Sequence, residues 1–488
     1  MDYQPNPTPA PRFSLGKREL TFGIITAVLS IGLWNSILYG GFHLGYSLFS
    51  LALLGCSVWY LQKNGGFGWY EWTLTAFAAL LTAGFARSSD VGMKLVLVPA
   101  SIFTANLVLC LASGQNRRSR SSFGTVFDAP RAFFTFGFGG MGAAARGMTD
   151  AWKNSGTAGK KGSAALLGVV IAVPVVAVMV PLLIRSDAAF EGFMGQLPET
   201  DWTEPFWSAA LGLFAAWVLF VRGVGLRGEK KGQPAKGITK RLSPITVNIL
   251  LGAVCILYLT YLFSQLGYFF GGFLWSVPEE YTLAEYARRG FFEMAWLSAI
   301  NLTLILSCAG LVERDEKLPA LTRLMCFFLG GITLFLIAAA SAKMLLYIDS
   351  YGLTRLRVLT QTVMIWLGIS TLLVCARLVK PKLAYMKGAI LVALVLGTAL
   401  LWLDVDTMVA RYNVRAYQQG TLETVDMSHL STLGYGAVPY IAELTQDEDA
   451  WVAQRAKDIL LLRRADARID DLRDWNLSEW MADRVPFA

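Results

Sequence analysis

Long apolar runs recur along the chain from Leu20 to Leu403, and more polar segments separate them. A helix that crosses a bilayer needs roughly 20 apolar residues, because it rises about 1.5 Å per residue through about 30 Å of hydrocarbon. The runs therefore predict about eleven membrane-spanning helices. Their ranges are 20–39, 45–61, 69–86, 91–112, 163–184, 206–221, 245–266, 291–312, 324–342, 358–376 and 388–403.

These runs lack the period-two alternation of a lipid-facing β-strand, so the predicted fold class is all-α. We expect a polar N-terminal segment at 1–19, a polytopic transmembrane helix bundle at 20–403 and a small helical extramembrane C-terminal tail at 404–488. Composition agrees with this division, since 55% of the residues are hydrophobic, 16% are charged and the mean hydropathy is +0.48.

Within the tail, the pattern predicts two short helices, Ala437–Leu444 and Asp449–Leu460. Together they resemble one helical repeat of the HEAT type, but one repeat cannot bury its own apolar face. We therefore favour a small helical cap on the membrane domain over a repeat module. A position of Trp475 and Trp480 on the membrane surface stays open.

Lysine and arginine gather in alternate loops, with the largest groups at 117–161 and 222–241. Because basic residues are retained on the cytoplasmic side, this asymmetry predicts a cytoplasmic N-terminus. An odd number of spans makes the tail extracytoplasmic, and one helix more or fewer reverses that assignment. The net charge of +8 then belongs to loops beside anionic lipid, which predicts the lipid bilayer and no nucleic acid as partner.

Two features of the N-terminal half carry open alternatives. The stretch 132–148 is rich in phenylalanine and suits the headgroup region, so we favour a lipid anchor over a binding site for a specific partner. Pro99 is expected to bend the fourth span, as in transport sites but also in many membrane helices without that role. Lys94 in the same span is expected to extend toward the interface.

Enzyme chemistry has little support in the sequence. The chain has two histidines, His43 and His429, without metal-ligand spacing, and no nucleophile motif is present. The six cysteines all fall within predicted spans, which predicts buried thiols rather than a disulfide framework or a zinc site. We predict no enzyme activity, no cofactor and no metal.

Two outer segments hold the most informative polar residues. In the first, Glu285, Arg289 and Glu293 recur at intervals of four and share one helical face. In the second, Gly352 is expected to end one helix and Thr354 to cap the next, so that Asp349 can meet an arginine across the bend.

The two segments suggest a charged cluster on the outer face, but we favour the alternative, a set of separate solvated charges with no shared task. The candidate cluster contains Glu285, Arg288, Arg289, Glu293, Lys343, Tyr347, Asp349, Tyr351, Arg355 and Arg357.

The same segments carry a family resemblance. The strings YTLAEYARRGFFE at 281–293 and KMLLYIDSYGLTRLRV at 343–358 resemble an uncharacterised family of bacterial multi-pass membrane proteins, domain of unknown function forty-one-seventy-three. ARYNVRAY at 410–417 and RDWNLSEW at 473–480 are similar as well, so the resemblance extends from about the seventh span into the tail. It implies a bacterial inner-membrane location and no assigned activity.

Two functions remain from different classes. The first is a non-enzymatic envelope sensor or assembly component that binds an envelope protein partner through the tail. The second is a secondary transporter of an unidentified solute, with its site among the kinked helices and near Arg289 and Glu293. We favour the first, because charges within the spans are few and no paired broken helices mark a midplane site.

Overall fold

The computed structural model describes residues 16–62, 66–118, 122, 124–142, 144, 203–228, 242–271, 291–312, 318–466 and 471–486, with single positions between 168 and 192. Throughout these residues the regular structure is helical, and an isolated β-bridge joins Leu242 to Val312. The predicted all-α polytopic fold is confirmed.

Nine helices of the described ranges are long and apolar enough to cross a membrane, and all nine were predicted as spans. They are α1 (Lys17–Gly40), α2 (Leu44–Leu61), α4 (Val91–Ala112), α6 (Thr203–Gly228), α7 (Pro244–Gly271), α8 (Phe291–Leu311), α9 (Ala320–Tyr351), α10 (Arg355–Val379) and α11 (Tyr385–Leu403). The protein is therefore an integral membrane protein.

Two predicted spans stand apart from these nine. The third is a helix, α3 (Trp69–Gly84), but its 16 residues are fewer than the prediction of 69–86. At about 1.5 Å per residue it is shorter than the hydrocarbon is thick. The fifth, 163–184, lies almost entirely outside the described residues.

Shorter helices follow α4 and build the tail. After α4 come α5 (Thr125–Ala132) and a π-helix (Phe133–Phe138). The tail contains α12 (Val405–Gln418), α13 (Met427–Thr432), α14 (Val438–Glu443), α15 (Ala450–Asp466) and α16 (Leu477–Ala482). The two tail helices predicted from the sequence correspond to α14 and α15.

The chain divides into two compact units, and the division does not follow the predicted border at 403/404. One unit contains Met1–Ser119, Gly124–Pro234 and Arg464–Arg484; the other contains Arg120–Phe123, Ala235–Arg463 and Val485–Ala488. Each unit therefore combines membrane helices with part of the tail.

In the first unit, α1 and α6 pack antiparallel along their length. A Cβ built on Gly212 would lie 2.5 Å from the Ile31 Cα atom, so the two backbones touch where a small residue permits it. Toward the other end of this pair, the Phe22 ring of α1 stacks on Tyr60 of α2 at 4.1 Å, and Phe220 of α6 lies 6.3 Å from Phe22. Dispersion contacts of this kind hold helices together in lipid, where the hydrophobic effect between helices is weak.

In the second unit, α9 packs against three helices, α7, α8 and α10. Its core joins Ile337, Ala340 and Met344 to Met364 and Leu367 of α10. Side-chain hydrogen bonds connect neighbouring helices as well. They are Thr322 to Asn248 at 2.6 Å, Tyr258 to Asn301 at 2.9 Å and Trp366 to the Ala389 carbonyl at 2.9 Å.

Candidate functional site

The turn between α9 and α10 has the local structure that the sequence predicts. Gly352 ends α9 with φ of +76°, which favours glycine, and the Thr354 hydroxyl caps α10 by accepting the Arg357 N–H at 3.3 Å. A Cβ at position 352 would lie 2.6 Å from the Asn413 Oδ1 atom of the tail. Glycine is therefore required both by the backbone and by the tail that lies against it.

The tail helix α12 holds this turn through its backbone. Asn413, which is buried, accepts the Leu353 N–H at 2.6 Å and donates to the Leu353 carbonyl at 2.9 Å. One residue earlier, the Tyr412 hydroxyl donates to Asp349 at 3.1 Å. These bonds satisfy turn groups that a helix end leaves without intrahelical partners.

A buried ion pair completes the contact. Arg355 donates to both carboxylate oxygens of Asp406 at 2.5 and 2.7 Å and to the Thr432 carbonyl at 3.1 Å. Asp406 is completely buried and also accepts the Gly434 N–H at 2.5 Å. The two-pronged geometry fixes α12 and the α13–α14 connection against the start of α10.

The described part of the predicted outer cluster separates into three groups. Arg357 stacks over the Tyr347 ring at 4.1 Å and donates to the Tyr351 carbonyl at 3.0 Å, and the two tyrosine rings lie 5.0 Å apart. Arg355 forms the second group with the tail, and Asp349 forms the third with Tyr412. Thus Asp349, expected to meet Arg355 or Arg357, binds a tail tyrosine instead.

The remaining members of the predicted cluster are placed as follows. Lys343 lies half-buried on α9, and Glu293 is exposed in the first turn of α8. Glu285, Arg288 and Arg289 lie outside the described residues, so the proposed link between the two outer segments stays a prediction.

A second contact of the tail lies in the other unit, where the C-terminal segment (residues 471–484) crosses two turns. The Gly45 N–H, after the α1–α2 turn, donates to the Arg473 carbonyl at 3.2 Å. In the α3–α4 turn, the Arg87 carbonyl accepts the Ser478 N–H at 3.0 Å and its hydroxyl at 2.7 Å. The segment therefore joins two helical hairpins at one end of the bundle.

The Arg473 side chain extends this contact to α1 and α6. Its guanidinium donates to Asn35 of α1 at 2.6 Å and to Glu204 at the start of α6, and Asp471 binds it at 2.6 Å. Asn35 also donates to Glu204 at 2.9 Å. The four side chains form one network that fixes the ends of two spans to the C-terminal segment.

Beneath the C-terminal segment lies a buried group of titratable side chains that the sequence pattern did not predict. Lys94 was expected to extend toward the interface, but it is 2% exposed and its Nζ atom lies 3.0 Å from the His43 Nδ1 atom. Burial, and then the charge of Lys94, lower the pKa of His43 to about 3, so the ring is neutral. A neutral Nδ1 can accept a hydrogen bond from the ammonium group.

Glu479 of α16 is the acidic member of this group. Burial raises its pKa, whereas a hydrogen bond from Asn476 at 2.8 Å and the charge of Lys94 lower it. Asn476 is fully buried and caps α16 by accepting the Glu479 N–H at 2.9 Å. The available sequence signal was Lys94 in the first turn of the fourth span, whereas its partner His43 lies 51 positions earlier, in the α1–α2 turn.

The model of a family defined by a domain of unknown function, DUF4153, matches residues 48–444. The chain belongs to this family. Comparison with curated proteins and with solved structures gives no match.

Membership in DUF4153 confirms the predicted resemblance to an uncharacterised membrane protein family and corrects two details. The family number is forty-one-fifty-three, and the match begins near the start of α2 rather than at the seventh span. It includes the turn at 351–357 and α12, which contact each other, whereas the C-terminal segment lies beyond residue 444. The DUF4153 region thus contains the whole Asp406 contact.

Proposed function

We propose that this DUF4153 protein is a bacterial plasma-membrane protein with a cytoplasmic N-terminus and an extracytoplasmic tail. It acts as a non-enzymatic assembly or sensing component that binds an envelope protein through the tail. In the first unit, Lys17, Arg117 and Arg227 lie at one end of the helices, whereas the C-terminal segment lies at the other. The preference of basic residues for the cytoplasmic side supports this orientation.

The observation that carries the partner proposal is an exposed apolar row on α15. Trp451, Leu461 and Leu462 are 62, 60 and 66% exposed, while Ile459 and Leu460 of the same helix are buried in the tail. A helix whose inner face is already covered has no need of these side chains for its own packing. Apolar residues in such a position favour contact with another protein.

Arg455 indicates the character of that partner. It lies on the same face as Trp451 and Leu462, at helical intervals of four and seven residues, and it is exposed. An acidic, amphipathic surface of another envelope protein would complement this row in both charge and hydrophobicity.

Photocrosslinking in cells tests the proposal. A photoreactive amino acid at Trp451 or Leu462 should capture the same protein, whereas the exposed position Gln418 on α12 should not. Trp451→Glu should remove the adduct formed from position 462. Equal capture at all three positions, or none at any, would refute a partner surface on α15.

Reporter fusions test the orientation separately. Alkaline phosphatase fused to the C-terminus should be active, because the enzyme folds only outside the cytoplasm, and the same reporter fused after Gly228 should be inactive. The opposite pattern would reverse the proposed sidedness while leaving the partner experiment unaffected.

A secondary transporter remains the second candidate, and the buried Lys94–His43 pair favours it. Lys94 is shielded from water in a span that also contains Pro99, so its amino group is a site at which a proton or a solute can bind. Proton flux into proteoliposomes, followed with an internal pH dye, should then disappear in Lys94→Met. Equal flux in wild type and variant would reject this candidate.

A further inference from the structure

A buried arginine near the end of α6 has no carboxylate partner among the residues that the structure describes. Arg222 is 4% exposed, and its Nε and Nη2 atoms have no hydrogen-bond partner within the described residues. The Phe133 ring lies 5.4 Å from the guanidinium carbon and covers one face. Because arginine stays protonated, a buried guanidinium with open donors is an unsatisfied positive charge.

Two carboxylates of the first unit, Asp128 and Glu19, are bound by other groups. Asp128, itself 4% exposed, accepts the Arg118 N–H at 3.1 Å and lies 3.8 Å from the Nε atom of Arg131. Glu19 pairs with Arg227 at 3.0 Å. Within the described residues, neither carboxylate forms an ion pair with Arg222.

The surroundings of Arg222 have the chemistry of a membrane interface. Phe134 and Phe138 of the π-helix are 61 and 42% exposed, and Phe127 of α5 is 57% exposed. Aromatic rings of this exposure are typical of the headgroup level. Arg222 precedes the end of α6 at Gly228 by six residues, about 9 Å along the axis, which leaves its side chain within reach of that level.

The π-helix is a second indication of a site. Its six residues, Phe133–Phe138, interrupt the regular helical hydrogen bonding, and the first of them, Phe133, stacks on Arg222. Such segments are rare and are often found at functional sites.

We propose that Arg222 binds a phosphate group next to the π-helix. A phosphate offers oxygen acceptors for both Nε and Nη2, and guanidinium binds it in the two-pronged geometry. The phosphate group is available from two sources, the headgroup of an anionic phospholipid and free inorganic phosphate.

Thermal unfolding of the full-length protein in neutral detergent, followed by tryptophan fluorescence, tests the proposal and separates the sources. Phosphatidylglycerol, phosphatidylcholine and inorganic phosphate are titrated in parallel. Stabilisation by phosphatidylglycerol alone identifies a lipid headgroup, and stabilisation by inorganic phosphate alone identifies the free anion. In either case Arg222→Met should weaken the apparent affinity about tenfold or more.

Two further variants make the result specific. Arg222→Lys keeps the charge and should retain part of the response, even where Arg222→Met folds poorly. Arg377→Met is the matched control, because that arginine already stacks on Tyr385 at 4.7 Å and donates to the Leu383 carbonyl. No stabilisation by either phosphate source, or an equal loss in the Arg222 and Arg377 variants, would overturn the proposal.

Discussion

Replacing Asp406 with alanine should release the tail from the turn between α9 and α10. The substitution leaves the Arg355 guanidinium and the Gly434 N–H without the carboxylate that binds them at 2.5 to 2.7 Å. Breaking a buried ion pair by removing one partner costs about 3–5 kcal/mol. The Arg355 side chain is 29% exposed and can turn toward water, so we expect the lower end, about 3 kcal/mol.

This loss predicts a measurable opening of the tail. It corresponds to a rise on the order of a hundredfold in the fraction of molecules in which α12 to α14 have left the turn. Hydrogen exchange with mass spectrometry measures that fraction directly, because opening exposes the backbone amides of these helices. Peptides from residues 404–446 should exchange faster by about that factor, whereas peptides from α10 should change little.

Two comparisons show whether the ion pair is the cause. Arg411→Ala removes an exposed arginine from the same helix and should leave exchange unchanged. The double substitution Arg355→Met with Asp406→Leu should restore much of the protection, since no buried charge is left alone. Equal exchange in Asp406→Ala and Arg411→Ala would refute the assignment.

Three further outcomes are expected. Burial, and then a neighbouring lysine, lower the pKa of His43 from 6.5 to about 3, so the stability from its neutral ring is complete above pH 6.5 and is lost as the pH falls toward 3. Both proteins that are compared carry Glu479→Gln, because the raised pKa of Glu479 changes stability with pH in the opposite direction. In this background, protection of the C-terminal segment from protease should weaken as the pH falls through that window. The further substitution His43→Gln should make this protection less dependent on pH. Gly352→Ala should lower the melting temperature, because alanine is strained by about 1–3 kcal/mol at φ of +76° and ψ of 179° and its Cβ atom would clash with Asn413; an unchanged melting temperature would contradict this. Arg473→Ala should accelerate proteolysis of the C-terminal segment, and Arg473→Lys should accelerate it less. Equal proteolysis rates in the wild type and in Arg473→Ala would contradict the network.

Local features were predictable where the physical cause is local. The end of α9 at Gly352 and the cap at Thr354 follow from backbone preferences of single residues, and both were predicted. The nine confirmed spans follow from the length of apolar chain that lipid demands. For α3, the length of the apolar run predicted too long a helix. The helix ends at Gly84, before the turn that the C-terminal segment binds.

The candidate site was predictable only in part. Arg355 and Arg357 were expected to be important, but their partners were assigned within the same segment. Asp406 is 51 positions from Arg355 in sequence. No periodicity or spacing indicates such a pairing, because it depends on how the tail folds back.

Lys94 shows the same limit in another form. A lysine near a helix end is equally compatible with extension into water and with burial under another part of the chain. The segment that covers it lies almost 400 residues later, as the Ser478 contact with Arg87 shows by its separation of 391 positions. Burial of a single polar residue is therefore decided by tertiary contacts.

The sequence by itself determined the medium, the fold class and most of the helices, because hydrocarbon imposes a length and a composition on each span separately. It also indicated the family, because a family is recognised from stretches of amino-acid sequence. Tertiary structure alone decided which polar groups meet: Asp406 with Arg355, Asn413 with the turn, and His43 with Lys94. These contacts join chain segments that are far apart in sequence, so they stabilise the protein only after the helices have packed.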